Sequence, residues 1–174
     1  MRRVLVGVLV FGALLFAETV RADSIFIATL NGAQEGTAST ATGFGSVILN
    51  TAQTMITVNE SWRDLVGGPA TATHIHCCAP PGSNAGVLFP FAGVPNAVTG
   101  AIPTQTFAIT PLEVSELEAG LMYFNVHDGE FPGGEIRGQI LPAATPEPAS
   151  LGLLALGLFL ALLCAGKIRR FQAA

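Results

Sequence analysis

The sequence has few charged residues, and its central part has almost no basic ones. Charged residues make up 11% of the chain, against 50% hydrophobic residues. All but Glu18 and Glu147 of the 12 acidic residues lie between residues 23 and 144, where the only basic residues are Arg63 and Arg137. Ten negative charges against two positive ones give this region a net charge of about −8 with neutral histidines. Such a region repels nucleic acid and anionic lipid head groups, so we expect no nucleic-acid partner.

Cysteines and known catalytic motifs are also scarce. Of the three cysteines, Cys164 lies in an apolar C-terminal stretch, and Cys77 and Cys78 are adjacent, which excludes an ordinary disulfide framework. The sequence has no Gly-x-Ser-x-Gly elbow, no phosphate-binding loop and no Cys-x-x-Cys motif. These absences favour a protein without catalytic residues over an enzyme, and they leave a metal-dependent activity open.

The hydrophobic residues are concentrated at the two ends of the chain. At the N-terminus, two arginines precede an apolar run over residues 4–17, and Val20-Arg21-Ala22 resembles a cleavage site. The apolar run is shorter than the ~20 residues of a membrane span. We therefore predict a secretory signal peptide over residues 1–22, cleaved after Ala22, with an uncleaved membrane anchor as the alternative.

A second apolar stretch occupies residues 149–166 and is followed by the basic cluster Lys167-Ile168-Arg169-Arg170. As a helix, these 18 residues would be about 27 Å long, close to the thickness of a bilayer core. The positive charges behind the stretch should stay in the cytoplasm. This pattern predicts a transmembrane helix over about 149–166, which would attach the protein to the inner membrane.

The tripeptide Pro146-Glu147-Pro148, the apolar stretch and the terminal basic cluster occur in that order over residues 145–174. Together they resemble a PEP-CTERM sorting signal. The resemblance implies export, transient anchoring in the membrane and processing by a membrane protease of the exosortase type. It also implies a location at the cell surface or in the extracellular matrix, where polysaccharide is a candidate partner.

The central region, residues 23–144, reads as one all-β domain. Short stretches of alternating apolar and polar residues are separated by turns rich in glycine, proline and asparagine, which is typical of a single antiparallel β-sandwich or Greek-key barrel. One short helix is expected over Pro111–Gly120. The strands are predicted at Ser24–Leu30, Gly43–Asn50, Met55–Trp62, Thr71–His76, Val87–Phe91, Ala97–Ala101, Thr104–Thr110, Leu121–His127 and Glu135–Leu141.

The chain has three histidines, His74, His76 and His127. In a strand, residues i and i+2 point to the same face with β-carbons about 6.5–7 Å apart, so His74 and His76 could reach one metal ion. His127 could complete a three-nitrogen site of the kind that suits copper or zinc. The alternative is that the histidines form hydrogen bonds with backbone or carboxylate groups and bind no metal.

Alternation also assigns faces to the last two strands. Tyr123, Asn125 and His127 should share a polar face, opposite to Met122, Phe124 and Val126. Glu135 and Arg137 lie on the polar face of the final strand. If the two strands are neighbours, Glu135 and Arg137 would lie near His127, where they would contact the metal-binding histidines without binding the metal themselves.

Four motifs occur in order: Leu30-Asn31-Gly32-Ala33-Gln34-Glu35, Thr73-His74-Ile75-His76, Tyr123-Phe124-Asn125-Val126-His127, and the segment from Gly133 to Ile140. Together they resemble a CHRD domain, the module first named from chordin. The resemblance implies a compact β-sandwich, of the superoxide-dismutase-like or immunoglobulin-like kind, without a settled biochemical activity. The predicted function is therefore a non-catalytic binding or structural module that is exported through its C-terminal signal.

A weaker similarity connects His74, His76, His127 and Arg137 with copper-zinc superoxide dismutase, which has a His-x-His strand and a later arginine that guides the substrate. No fourth histidine is present for a bridged zinc site. A full dismutase is therefore disfavoured. A metal-binding redox or metal-handling protein, with copper or zinc bound to the three histidines, remains the alternative function.

Overall fold

The structure is a computed structural model that describes residues 22–144 and, further on, residues 154, 156–159 and 161. The predicted signal peptide up to residue 21 and the tripeptide Pro146-Glu147-Pro148 lie outside the described residues. In the segment 149–166, the few described residues are helical. Among the described residues, no helix is both long enough and apolar enough to cross a membrane. The predicted C-terminal transmembrane helix is therefore not supported by the structure.

Residues 22–144 form an all-β fold with ten strands and two short helices, as the alternating pattern predicts. The helices are α1 (Gly32–Glu35) and α2 (Pro111–Glu118). The strands are β1 (Ser24–Asn31), β2 (Thr42–Leu49), β3 (Met55–Arg63), β4 (Ala72–Cys77), β5 (Gly86–Pro90), β6 (Gly100–Ala101), β7 (Gln105–Ala108), β8 (Tyr123–His127), β9 (Ile136–Gln139) and β10 (Leu141–Pro142). Every predicted strand overlaps an observed one, and the last is divided into β9 and β10.

All strands belong to one antiparallel sheet, in the order β5-β4-β8-β9-β1-β2-β3-β6, with β10 beside β1 and β7 beside β3. The sheet curls, so that its two halves face each other. The ring centroid of Phe91, just after β5, lies 6.0 Å from that of Phe107 on β7 and 6.1 Å from that of Phe124 on β8. Gly45 on β2 faces the Phe124 ring so closely that a β-carbon there would collide with it.

The apolar core lies between these two halves of the sheet. Alternation directs every second side chain of the long strands inward, and the inward residues are hydrophobic. Burying each large apolar side chain contributes about 1.5–3 kcal/mol to stability, which is enough to fix the register of each strand. The fully buried apolar residues include Leu30, Val47, Leu49, Val58, Ile75, Phe124, Val126, Ile136 and Ile140.

Both helices begin at capping residues. The side chain of Asn31 accepts a hydrogen bond from the backbone N–H of Gln34, and α1 ends at Gly36 in the left-handed conformation (φ 86°). Thr110 and Glu113 form a capping box at the start of α2. These caps explain why such short segments are helical between strands.

One carboxyl group is buried inside the core. Glu60 on β3 is 3% exposed and hydrogen-bonds to the hydroxyl of Thr73 on β4. Burial raises the pKa of Glu60 to about 8. The Thr73 hydroxyl also lies 2.9 Å from the carbonyl oxygen of Asn125. A hydroxyl has one proton, so both contacts are satisfied when Glu60 is protonated and donates to Thr73, which in turn donates to Asn125.

The proton on Glu60 predicts a pH dependence of stability. The pKa of Glu60 is about 8 in the folded state and 4.5 without burial. Between pH 4.5 and pH 8, Glu60 is therefore protonated in the folded state and ionised in the unfolded state. The contribution of Glu60 to the free energy of unfolding should fall as the pH rises from 4.5 through 8, by up to about 1.4 kcal/mol per pH unit. In Glu60→Gln this slope should be absent. Urea unfolding of both proteins at pH 5–9 measures it, and parallel pH profiles would contradict the prediction.

Candidate metal centre

The pairing of β4 with β8 brings the three histidines together. His74 and His76 lie on the face of β4 that points away from the core, and in the register His127 on β8 lies opposite Ala72. The ring centroid of His74 is 4.6 Å from that of His76 and 4.5 Å from that of His127. One ring nitrogen from each histidine lies within 4.8 Å of the other two. The structure thus places the predicted ligand residues on a common face.

Two of the histidines have their rings fixed by main-chain carbonyl groups. Nδ1 of His76 lies 2.8 Å from the carbonyl oxygen of Ala85, and Nδ1 of His127 lies 3.0 Å from that of Pro132. A carbonyl group can only accept, so each Nδ1 carries the proton and each Nε2 keeps a free lone pair.

Three ring nitrogens in this cluster have no hydrogen-bond partner in the described part of the chain. They are Nδ1 of His74, Nε2 of His76 and Nε2 of His127, and all three are buried. A buried polar atom without a partner costs free energy, and such atoms are rare in folded proteins. Three of them, from three histidines that contact one another, indicate a place for a ligand that accepts lone pairs.

The surroundings keep the imidazoles neutral. Burial, together with the neighbouring His127 and His76, lowers the pKa of His74 to about 4. Burial is also the main reason why the pKa values of His76 and His127 are lowered, although the bonds to Ala85 and Pro132 oppose this shift. All three rings are therefore unprotonated at neutral pH, which is the state that coordinates metals.

Arg137 lies near the histidines but is enclosed. Its guanidinium group lies 3.4 Å from the ring centroid of Tyr123, and the His76 ring stacks on the same tyrosine at 4.7 Å. Because β8 lies between β4 and β9, His76 and Arg137 approach Tyr123 from opposite sides. Arg137 also donates to Asn84 Oδ1 (3.2 Å) and to the Ser83 carbonyl oxygen (2.5 Å), and it is 2% exposed. The Tyr123 ring thus lies between the positive charge of Arg137 and the His76 ring.

Glu135 lies on the same polar face and is fully buried. Its carboxylate accepts hydrogen bonds from the Ser39 hydroxyl and from the backbone N–H groups of Val66 (2.9 Å) and Gly67 (3.1 Å). These bonds attach the loop that contains Ser39 and the loop that contains Val66 and Gly67 to the start of β9. The Nδ1 atoms of His76 and His127 contact the carbonyl groups of Ala85 and Pro132, rather than Glu135 or Arg137, which we expected near His127.

Asp128 shapes the loop that follows β8, a role that the sequence analysis did not assign to it. Its Oδ1 atom accepts hydrogen bonds from the backbone N–H groups of Glu130 (2.9 Å) and Phe131 (2.8 Å). This turn leads directly to Pro132, which holds His127. The Asp-Gly-Glu sequence after His127 is a turn signal that could have indicated this role.

We predict from the local surroundings that the metal-free protein has an unusually acidic histidine. His74 should titrate near pH 4, because burial and two neighbouring rings oppose its protonation. The unfolded state takes up this proton at about 6.5, so the contribution of His74 to the free energy of unfolding should decrease as the pH falls from 6.5 to about 4, opposite in sign to the contribution of Glu60. NMR titration of the imidazole signals of the full chain measures the pKa. A value of 6.5 or higher for His74 would contradict the prediction.

Comparison with known families confirms the resemblances to a CHRD domain and to a PEP-CTERM sorting signal. The model of the CHRD domain matches residues 26–140, about two thirds of the chain, and includes all three histidines. The model of the PEP-CTERM protein-sorting motif matches residues 144–170, which implies export and processing by an exosortase. No curated protein and no solved structure shows significant similarity to this chain. The extent of the first match shows that the chain belongs to the CHRD domain family.

Proposed function

We propose that the CHRD domain binds one copper or zinc ion through His74, His76 and His127, and that it acts as a metal-holding module rather than as an enzyme. The observation that carries this proposal is the set of three buried ring nitrogens without hydrogen-bond partners. Neutral imidazoles in such an arrangement bind a metal without first having to lose protons.

The geometry fits a transition metal. Nitrogen ligands lie about 2.0–2.1 Å from zinc, so three of them in a tetrahedral arrangement are roughly 3.4 Å apart. The ring nitrogens lie within 4.8 Å of one another, so movements of about 1 Å would bring them to this spacing. Three imidazoles suit copper or zinc better than calcium or magnesium, which prefer oxygen ligands. His74 is only partly buried, which leaves the fourth coordination position of the metal accessible to a further ligand.

The charges around the site favour metal holding over turnover of an anion such as superoxide. Arg137 is the only basic side chain near the histidines in the described region, and Tyr123, Ser83 and Asn84 enclose it. The net charge of about −8 between residues 23 and 144 also repels anions. A guiding arginine of the dismutase kind would need its guanidinium group at the mouth of the site.

The sorting motif supports a place for this module outside the cytoplasm. In the proposed sequence of events, a signal peptide is removed after Ala22 and the C-terminal segment holds the protein at the membrane until the exosortase acts. Residues 23–144 then reach the cell surface or the extracellular matrix, where polysaccharide is the proposed surrounding polymer. Copper or zinc would be stored or presented there.

We predict that the full chain, purified in detergent, binds about one equivalent of Zn²⁺ or copper. Replacing His74, His76 or His127 by Ala should in each case weaken metal binding by at least ~100-fold. Loss of a residue that only hydrogen-bonds to a metal ligand typically weakens binding by ~10–100-fold, and loss of a ligand itself should cost more. Competition with a chromophoric chelator measures the affinity. Glu130→Gln is the matched control, since this exposed carboxylate lies three residues from His127 and outside the cluster.

Two results would count against the proposal. Stoichiometric binding that survives the histidine substitutions would place the metal elsewhere. Rapid superoxide turnover by the metal-loaded chain would contradict the non-catalytic role and favour the redox alternative.

A further inference from the structure

The two adjacent cysteines follow His76 directly in the chain. Cys77 ends β4 immediately after His76, and the structure joins it to Cys78 by a disulfide bond. Cys77 is partly buried against the core, whereas Cys78 is exposed to solvent. The pair is therefore accessible to thiol reagents from the Cys78 side. It also begins the segment of residues 78–85, called the covering loop below.

The covering loop lies over the polar face of β8 and β9. The side chain of Gln139 donates to the Ala79 carbonyl oxygen at 3.0 Å, and the Ala79 N–H group donates to Leu121 at 2.9 Å. Further along, Arg137 donates to Ser83 and Asn84. These contacts attach the loop from Ala79 onward to the sheet, whereas its first residue, Cys78, is held by the disulfide bond with Cys77.

The last residue of the covering loop contacts the proposed metal ligand. The Ala85 carbonyl oxygen accepts from His76 Nδ1 at 2.8 Å, and the Ala85 N–H group donates to the Tyr123 hydroxyl at 2.9 Å. Its neighbour Gly86 pairs with Cys77 in the β4–β5 ladder. The disulfide thus lies at the base of the loop, where the chain leaves β4 and returns to β5, one residue from the carbonyl group that holds His76.

We propose that the Cys77–Cys78 disulfide is a redox condition for metal capture, an inference that rests on the proposed metal site. With the disulfide closed, the base of the covering loop is fixed, Ala85 holds His76 in one tautomer, and Nε2 of His76 faces the other two histidines. With two free thiols, the base of the loop gains rotational freedom and the Ala85–His76 bond weakens. A group that hydrogen-bonds to a metal ligand, as the Ala85 carbonyl group does to His76, typically contributes about 10–100-fold to metal affinity.

This arrangement connects metal capture with export. The cytoplasm keeps thiols reduced, whereas disulfides form and persist in exported proteins. The sorting motif assigns this chain to the exported class. The site would therefore stay weak before export, when cytoplasmic zinc is nearby, and would become strong afterwards.

The oxidation step balances by thiol–disulfide exchange. The Cys78 thiolate attacks one sulfur of a donor disulfide, supplied by a protein or a small molecule, and expels one donor thiolate. The Cys77 thiolate then attacks the Cys78 sulfur in the mixed disulfide and expels the second donor thiolate. Two electrons pass from the cysteines to the donor, and the two protons released by the cysteines are taken up by the departing thiolates.

The test compares Zn²⁺ affinity in three forms of the full chain that all carry Cys164→Ser, so that no other cysteine can react. The first form is oxidised, the second is reduced with a trialkylphosphine that is then removed, and the third carries Cys77→Ser and Cys78→Ser. We expect Zn²⁺ binding at least ~10-fold weaker in the second and third forms, with recovery when the second is reoxidised. Zinc is the metal used because Cu²⁺ would oxidise the thiols.

A second measurement uses the metal-free chain. The ¹⁵N signals of the imidazoles report the tautomer, and reduction should change those of His76. Those of His127 should stay unchanged, since its acceptor Pro132 lies on another loop. Equal or tighter Zn²⁺ binding by the reduced and Ser-substituted forms would overturn this inference alone. Absence of binding by the oxidised form would overturn the proposed function and this inference with it.

Discussion

The pairing of β4 with β8 is the interaction on which the rest of this structure depends. Ile75 opposes Phe124 in this ladder, and both side chains are fully buried in the core. A shift of one residue would turn these side chains outward and the histidines inward, so core burial fixes the register. The alternate residues of the same strands are then forced onto the opposite face. The convergence of the histidines is thus a consequence of how the apolar core packs.

The opposite face forms a second interior that is polar. Tyr123, Asn125, Arg137 and Gln139 lie there almost without solvent exposure. Loops cover them, and main-chain groups of these loops satisfy most of their hydrogen bonds, as in the bond from Gln139 to Gly120 (2.6 Å). Such a face is costly unless its polar groups have partners. Single buried oxygens of Glu35, Glu60, Asn125 and Asp128 also lack a partner among the described residues, but the histidines are distinguished because their three free nitrogens come together in one cluster.

Much of this arrangement follows from the sequence. Alternation located the strands and separated the apolar face of Phe124 from the polar face of His127, and the spacing of His74 and His76 placed both on one side. The histidine cluster, the CHRD domain and the sorting motif could thus be anticipated. The predicted strand at Ala97–Ala101 is reduced to the pair Gly100–Ala101.

Other parts of the site could not be read from the sequence for a physical reason. The acceptors for His76 and His127 are carbonyl groups, which every residue carries, so nothing in the residue types of Ala85 or Pro132 marks them. Glu135 lies on the expected face, but its carboxylate binds N–H groups of Val66 and Gly67, almost 70 residues earlier in the chain. Such contacts depend on where long loops cross the sheet. The alternation of apolar and polar residues within the strands carries no information on the paths of the loops.

The central claim is that three imidazoles, supplied by two neighbouring strands, form one metal site. X-ray absorption at the metal edge of the zinc- or copper-loaded full chain tests it most directly. We expect a nearest shell of nitrogen scatterers at about 2.0–2.1 Å, with the outer-shell signal of about three imidazole rings. A sulfur shell at about 2.3 Å would place the metal on the cysteines instead, and an oxygen shell without imidazole signal would place it on surface carboxylates. Either result would contradict this account.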